Sequence, residues 1–336
     1  MMYHLHLIPL GMPIKKSATI KFLPLALLSW ALFLSLSCAC HAPIQQGVDR
    51  FVHAGGDQMH YVERGSGPPV ILIPGLFGTY RTWDRMIPYL ERHYRLIAID
   101  NFGTGLSGRP RENFGYSVAE QADMVIAMMD ELKMARCDFI GVSYGGMIAL
   151  NLAARYPQRV GKVVCIEGGV IMPREHRYKK MEQGLGYPII GHTIIGLIRS
   201  GFFDEAIARD IMGPSWEELS EDEKVELLEI IAHNAGVASR LTWLGLARAL
   251  LNTPDFADEA KAIMAPVLYL SGDRSSFRDM TEMNIAYFKE NLPNVRLFSF
   301  VDGVHDLELQ KPEETAALAR RFIKNHTFLD TNLSSR

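Results

Sequence analysis

The stretch "CDFIGVSYGGMIALNLAARYP" (residues 137–157) joins an apolar run typical of a buried strand to a run typical of a helix. The joint, "GVSYG", places Ser143 between Gly141 and Gly145. A sharp strand-to-helix turn exposes a serine hydroxyl at the end of a sheet, and only glycine tolerates the crowding on either side. We therefore predict that Ser143 is a nucleophile rather than a structural turn serine. The start of the helix and the Tyr144 backbone N–H would lie beside its hydroxyl, where negative charge develops during acyl transfer.

Short apolar or β-branched runs that end in Gly or Asp recur on both sides of this stretch. Helical-period segments separate them; one begins at Ser117, a plausible N-cap with Glu120 three residues later. Strands that alternate with helices and are apolar on both faces predict an α/β fold with a mostly parallel sheet covered on both sides. The predicted strands are "MHYVERG" (59–65), "VILIPG" (70–75), 94–100, 137–142, 162–168, 266–272 and 295–301.

Residues 172–253 interrupt this alternation, because they contain helical stretches and no convincing strand. Ser215 or Ser220 can cap one of these helices. About 80 residues exceed a simple connection between two strands. We therefore predict a helical cap at 172–253, inserted into an α/β core made of 51–171 and 254–326.

The composition of the 336 residues is that of a globular enzyme-sized chain, with 48% hydrophobic and 22% charged residues. The formal net charge is −3, and no basic stripe is interleaved with aromatics, which argues against nucleic-acid binding. The sequence shows no cluster of metal-ligating residues, and the predicted chemistry needs no cofactor, so we expect neither a metal nor an organic cofactor. Cys137 and Cys165 lie in apolar strand-like runs, so we expect buried free thiols rather than a disulfide.

Residues 1–40 have a basic start, an uncharged apolar run from Phe22 to about Ala39, and then small residues with Cys38 and Cys40. This pattern predicts an export signal that is cleaved or carries a lipid on one of these cysteines. A retained membrane anchor is the alternative, because the run approaches the roughly 20 residues that span a bilayer. The protein is then expected to be periplasmic, secreted or membrane-anchored.

A serine nucleophile needs a base, and His305 is the candidate. It follows the last predicted strand within "FVDGVHDLELQKPEE" (300–314). Among the eleven histidines it alone occupies a strand-end loop in the order nucleophile, acid, histidine. We predict that His305 accepts the proton of the Ser143 hydroxyl.

Residues 51–324 resemble the α/β-hydrolase superfamily. The stretches "ILIPGLFGTYRTW" (71–83), "DNFGTGLSGRP" (100–110), "GVSYGG" (141–146) and "GVHDLELQKPEE" (303–314) are similar, in order, to its oxyanion loop, a shaping turn, its nucleophile elbow and its histidine loop. The resemblance implies an α/β-hydrolase fold with an inserted cap, Ser143 as nucleophile and His305 as base. It also implies an oxyanion hole formed by the backbone N–H groups of Leu76 and Tyr144.

The acid of the triad departs from this family's pattern. Its usual position, three residues after the glycine that ends strand 266–272, is occupied by Ser275, which cannot stabilise an imidazolium as a carboxylate does. Glu167 is the favoured replacement, because it ends strand 162–168 and is similar to the acid of those haloalkane dehalogenases that place it after this earlier strand. Asp273, in the same loop as the serine, is the alternative; Asp279, Asp302 or no acid at all stay open.

The nucleophile distinguishes chemistries within the family. Dehalogenases and epoxide hydrolases use an aspartate at the elbow, whereas Ser143 would form an acyl-enzyme. Apolar residues in the cap and at Leu76 and Phe77 favour a small, apolar ester as the partner molecule. The sequence thus predicts an exported esterase or lipase. The alternatives are an inactive binding protein of the cell envelope and an acyltransferase or amidase.

Overall fold

The computed structural model describes residues 47–109, 114–172, 176–252 and 254–324. The predicted leader at 1–40 lies outside these ranges, as does the end of the predicted core at 325 and 326. Within them, no helix has both the length and the apolar character needed to cross a membrane.

Eight strands form one sheet in the described part of the chain, in the order β1-β2-β4-β3-β5-β6-β7-β8. The first two pairings, β1 with β2 and β2 with β4, are antiparallel, and all others are parallel. The predicted α/β class with a mostly parallel sheet is confirmed. The strands are β1 Val48–Ala54, β2 Asp57–Arg64, β3 Pro69–Ile73, β4 Arg95–Ile99, β5 Cys137–Val142, β6 Val160–Ile166, β7 Val267–Gly272 and β8 Val295–Phe300.

Strand β1 is the one strand that the sequence analysis missed. It is an edge strand whose residues are mostly exposed, and it pairs only with β2. An edge strand with little burial has no alternating or continuous apolar pattern to reveal it. The other seven strands coincide with the predicted runs to within two residues at each end.

Helices cover both faces of the sheet, which explains the continuous apolar runs of its strands. Ile71 and Ile73 pack in one buried cluster, whereas Val70 and Leu72 on the same strand pack in another. Fully burying each such side chain contributes about 1.5–3 kcal/mol. The core helices are α1 Ile87–Leu90, α2 Val118–Glu131, α3 Tyr144–Arg155, α9 Ala257–Ala260, α10 Arg278–Asn291, α11 Leu307–Gln310 and α12 Pro312–Lys324.

Side-chain hydrogen bonds show which of the predicted serines cap the N-termini of helices. Ser117 caps α2 in a reciprocal box with Glu120, as predicted. Ser220, rather than Ser215, caps the inserted helix Glu221–Gly236. The Ser215 hydroxyl instead accepts a hydrogen bond of 2.6 Å from Gln310 Nε2, next to the predicted histidine loop.

The insertion between β6 and β7 is helical in its described residues. Its helices are α4 His176–Gly186, α5 Pro188–Arg199, α6 Asp204–Met212, α7 Glu221–Gly236 and α8 Arg240–Asn252. From Gly47 onward the chain groups as a single compact unit, so these helices do not separate from the sheet as an independent domain. The division into a core and a cap at 171/172 and 253/254 remains our proposed boundary.

Cys137 and Cys165 are free and buried, as expected from their apolar neighbours. Burial raises the pKa of the Cys165 thiol to about 12. A thiol in this state is a packing residue rather than a nucleophile.

The turn after β4 is shaped around Asp100, which is buried. Its carboxylate accepts hydrogen bonds of 2.8 Å from the backbone N–H groups of Tyr80 and Leu106. It also pairs with His60 Nδ1 at 2.8 Å. A Cβ at Gly105 would lie 2.0 Å from Asp100 Oδ2, so only glycine fits there. Burial alone would lower the pKa of His60, but the hydrogen bonds and charges of Asp100 and, to a smaller extent, of Asp49 outweigh it, and the pKa is raised.

The raised pKa of His60 gives a pH-dependent prediction. The stability that this pair contributes is fully present below the unfolded-state value of 6.5 and is lost as the pH rises through the folded pKa. Asp100→Asn should therefore lower the free energy of unfolding by about 3 kcal/mol at pH 6 and by less at pH 8.5. Denaturant unfolding at the two pH values measures this; an equal loss at both would contradict the charged pair.

Candidate active site

The predicted nucleophile lies on a strained turn. Strand β5 ends one residue before Ser143 and α3 begins one residue after it. Ser143 has φ 52° and ψ −118°, a region that L-residues rarely adopt. A Cβ at Gly141 would lie 2.3 Å from the Gly145 oxygen, and one at Gly145 would lie 2.1 Å from the Ile73 oxygen. The two glycines are therefore required for α3 to pass this close to β3 and β5.

Two backbone segments flank the Ser143 side chain. Tyr144 is the first residue of α3, where an amide has no partner within its own helix. On the other side, a Cβ at Gly75 would lie only 3.6 Å from the Ser143 Cβ. Leu76 follows in the same loop, and Leu76, Ser143 and Tyr144 line one pocket. The structure thus brings together the residues predicted to form the oxyanion hole.

Glu167 lies against His305 at the end of β6, the strand next to β5. It directly follows β6, is fully buried and has φ 49°. His305 Nδ1 lies 3.4 Å from Glu167 Oε2. This distance is within ion-pair range but longer than an ordinary hydrogen bond; catalytic contacts of this kind often tighten only when substrate binds.

The Glu167 carboxylate is fixed by three donors. Oε1 accepts 2.6 Å from the Gly272 backbone N–H, and Oε2 accepts 2.9 Å from Ser275 Oγ and 2.8 Å from Thr281 Oγ1. Ser275, which occupies the position where the family usually has its acid, thus helps to orient the carboxylate of Glu167. Sequence reasoning missed this role, although a hydroxyl at the lost acid position together with a strand-end glutamate was a signal for it. Nothing in the sequence singled out Thr281.

The other carboxylates proposed from the sequence lie elsewhere. Asp273, the alternative acid, has an exposed side chain, although its backbone N–H donates to the Phe300 oxygen at 3.1 Å. Asp279 is exposed on α10, and Asp302 forms an ion pair with Arg274. Of the four candidates, the one that lies against His305 is Glu167.

Ser143 and His305 line a cavity of about 400 Å³. The remaining walls are mostly apolar and come from the loop after β3 and from the inserted helices. They include Leu76, Phe77, Ile198, Ile207, Ile211 and Trp243. A cavity of this size and polarity suits a small apolar molecule.

The inserted helices contact the loop that carries Leu76. The rings of Phe77 and Trp243 stack with centroids 4.2 Å apart. Thr79 Oγ1 donates a hydrogen bond of 2.6 Å to Asn234 Oδ1. These contacts join the inserted helices that line the cavity to the loop that carries Leu76, the residue whose amide was predicted to bind the oxyanion.

Two carboxyl groups, Asp210 and Asp306, line the His305 side of the cavity. Burial raises the pKa of Asp306; His305 opposes this shift, whereas Glu167 and Asp210 add to it. The raised pKa favours the neutral form of Asp306, so this wall is polar but less negative than two ionised carboxylates would make it.

Glu308 is a buried carboxyl group that the sequence did not reveal. It lies on α11, three residues after His305, and is fully buried. Neither of its oxygens has a hydrogen-bond partner among the described residues. Burial, followed by the charge of Asp306, holds the pKa of Glu308 well above its usual range.

This burial predicts a stabilising substitution. An acid with a raised folded-state pKa contributes stability below its unfolded-state value of 4.5, and that stability is lost as the pH rises toward the folded pKa. Glu308→Gln removes the ionisable group and should raise the free energy of unfolding by about 2 kcal/mol at pH 7.5, and by less at pH 5. Denaturant midpoints at both pH values test this. Destabilisation at pH 7.5 would show that Glu308 is ionised and paired.

The candidate site residues share one end of the sheet. A serine on a strained turn, a buried glutamate and a histidine lie at the carboxyl ends of parallel strands, beneath inserted helices. Within the described ranges, no group of three or more His, Cys, Asp or Glu side chains is placed to hold a metal ion. The fold and the site together define the α/β type of hydrolase architecture.

Comparisons with known proteins identify the family. The model of a family with the alpha/beta hydrolase fold matches residues 68–188. RutD of Serratia proteamaculans (strain 568), a carbamate hydrolase by name, is 30% identical over 255 residues, which cover 73% of this chain and 87% of that protein. The chain belongs to the α/β-hydrolase superfamily, and the recognition made from its motifs is confirmed.

Further similarities lie within the same fold. A 2-hydroxy-6-oxo-2,4-heptadienoate hydrolase of Pseudomonas putida is 35% identical over 121 residues, which cover 35% of this chain and 43% of that protein. The crystal structure of the enol-lactonase from Burkholderia xenovorans LB400 superimposes with a TM-score of 0.69 at 20% identity, covering 82% of this chain and 100% of that chain. The relatives are hydrolases, and the structural likeness shows the common fold.

The position of Glu167 generates a prediction about the acid. Glu167→Gln keeps the shape but removes the charge that would orient and stabilise the imidazolium, so kcat should fall by about 10³-fold or more with little change in KM. Asp273→Asn is the matched control and should change kcat by less than about twofold, because its side chain is exposed. Steady-state kinetics on p-nitrophenyl acetate decides; the reverse pattern would make Asp273 the acid.

Proposed function

We propose that the protein is a serine hydrolase that cleaves carboxylic esters of apolar acyl groups through an acyl-enzyme. The observation that carries the proposal is the surroundings of Ser143. Ser143 lies on a strained turn and lines an apolar cavity, flanked by two backbone segments, and His305 of the His305–Glu167 pair lines the same cavity. No other pair of residues in the described ranges combines a strained elbow serine with a cavity-lining histidine.

In the proposed mechanism the Ser143 hydroxyl attacks the ester carbonyl while His305 accepts its proton. The backbone N–H groups of Leu76 and Tyr144 donate to the oxyanion that forms. Glu167 stabilises the imidazolium and keeps the ring oriented. The imidazolium then gives its proton to the leaving alcohol, and water hydrolyses the acyl-enzyme by the same steps in reverse order.

The alternative of an inactive binding protein rested on Ser275 at the usual acid position. The hydrogen bond from Ser275 to Glu167, together with the short distance from Glu167 to His305, weakens that alternative. An amidase or acyltransferase would use the same groups. The similarity to a protein named as a carbamate hydrolase makes hydrolysis of a carbonyl bonded to nitrogen the second candidate.

We also propose that the protein is exported and acts in the periplasm, outside the cell or at a membrane. This part of the proposal rests only on the basic and apolar pattern of residues 1–40. Small-molecule esters remain the expected partners, and association with a membrane through the leader remains part of the same expectation.

The proposal predicts that Ser143→Ala lowers the hydrolysis of p-nitrophenyl acetate by about 10⁶-fold, to an undetectable rate, because the residues of a triad act as a unit. The exposed Ser200→Ala is the matched control and should keep the wild-type rate. Labelling by a fluorophosphonate probe provides the second readout: wild type and S200A label at Ser143, and S143A does not. A folded wild-type protein that neither labels nor hydrolyses the ester would instead support the binding-protein alternative.

A further inference from the structure

Two spaces of very different size meet at Ser143. One is the cavity of about 400 Å³ that His305 lines, and the other is a pocket of about 20 Å³. Both include Leu76 and Ser143 in their walls, but His305 belongs only to the lining of the large cavity, and Tyr144 only to that of the small pocket. An ester bound at Ser143 therefore has two unequal places for its two halves.

The chemistry of the proposed function decides which half goes where. The imidazolium of His305 must deliver a proton to the alcohol oxygen as that oxygen leaves. The leaving alcohol therefore lies on the side of His305, in the large cavity. The acyl carbon bonds to Ser143 Oγ, and its oxygen points to the Leu76 and Tyr144 amides. Because the leaving alcohol occupies the large cavity, the acyl chain takes the other space beside Ser143, which is the small pocket.

The walls of the small pocket limit the size of the acyl group that can bind there. Met147, Leu250 and Met280 line it and are all at most 7% exposed, so their side chains are packed from behind. The small pocket offers about 20 Å³, against about 400 Å³ in the large cavity. It therefore suits the shorter of the two halves of an ester.

We propose that the substrates are short-acyl esters, acetates or propionates, of long or bulky apolar alcohols. This inference rests on the proposed function and sharpens it, because an ester of an apolar acid could otherwise carry its bulk on either side of the carbonyl. It assigns the bulk to the alcohol. A long-chain fatty acyl ester of a small alcohol would place its long chain in the small pocket, and we expect it to be a poor substrate.

Two isomeric esters test the assignment on the full-length protein. Octyl acetate and ethyl octanoate have the same formula and similar apolar surface, but the long chain belongs to the alcohol in the first and to the acid in the second. The kcat/KM of wild type for octyl acetate should exceed that for ethyl octanoate by about tenfold or more, since a methylene group that cannot be accommodated costs about 1–3 kcal/mol. A ratio near one, or a reversed ratio, would overturn the inference.

Enlarging the small pocket should weaken this preference. Met280→Ala and, as a second variant, Leu250→Ala should lower the ratio of octyl acetate to ethyl octanoate by about tenfold, mainly by improving turnover of the octanoate. The matched control is Ile211→Ala, which removes a similar volume from the large cavity and should leave the octanoate no better a substrate. Thermal melting confirms that each variant is folded. An unchanged ratio in both folded pocket variants would contradict the assignment of the acyl group.

The result separates this inference from the proposed function. Hydrolysis of p-nitrophenyl acetate and fluorophosphonate labelling, both lost in S143A, show that the serine hydrolase is active whichever isomer it prefers. If these controls succeed and ethyl octanoate is preferred, the inference on the acyl group fails alone. If the wild type neither labels nor hydrolyses any of the three esters, the proposed function fails and the inference falls with it.

Discussion

The steric crowding at the turn between β5 and α3 constrains the rest of the structure. Ser143 occupies a backbone region that costs about 1–3 kcal/mol, and such strain persists only where the surroundings fix it. Part of that support is its own N–H, which donates 2.7 Å to the Ile166 oxygen at the end of β6. Close packing adds the rest: a Cβ at Gly146 would lie 2.9 Å from Cys165 Sγ. The parallel register of β5 and β6 is thus a condition for exposing the serine.

The end of β6 repeats this backbone geometry. Glu167 directly follows β6 and has a positive φ, as Ser143 does after β5. At both positions the chain reverses sharply where parallel strands end, so that a hydroxyl and a carboxylate lie at the same end of the sheet. A carboxylate that follows β6 can therefore lie against His305, as Glu167 does. Ser275, left at the usual position, becomes a donor to Glu167.

Local sequence patterns predicted most strands and the candidate residues Ser143 and His305. They could not predict contacts between segments that lie far apart in the sequence. Seven strands were visible because their buried or partly buried side chains give apolar runs, whereas β1, mostly exposed at one edge, has no such run. Ser143 and His305 were found because glycine spacing and chain order mark them. The choice between Glu167 and Asp273 stayed open, since both follow strands of the same sheet and only the loop geometry separates them. Glu308 and the unequal spaces beside Ser143 arise from packing between distant segments, which no local pattern encodes.

Burial can determine which of the carboxyl groups around His305 are neutral and which one is ionised. Asp306 adjoins His305, Glu308 lies one turn further on, and Glu167 faces its Nδ1. An imidazole surrounded by several ionised carboxylates would already carry a proton and could not accept another from a serine. Burial raises the pKa of both Asp306 and Glu308 and so favours their neutral forms. Glu167, whose oxygens accept three hydrogen bonds, is the carboxylate whose position suits it to stabilise the imidazolium when it forms.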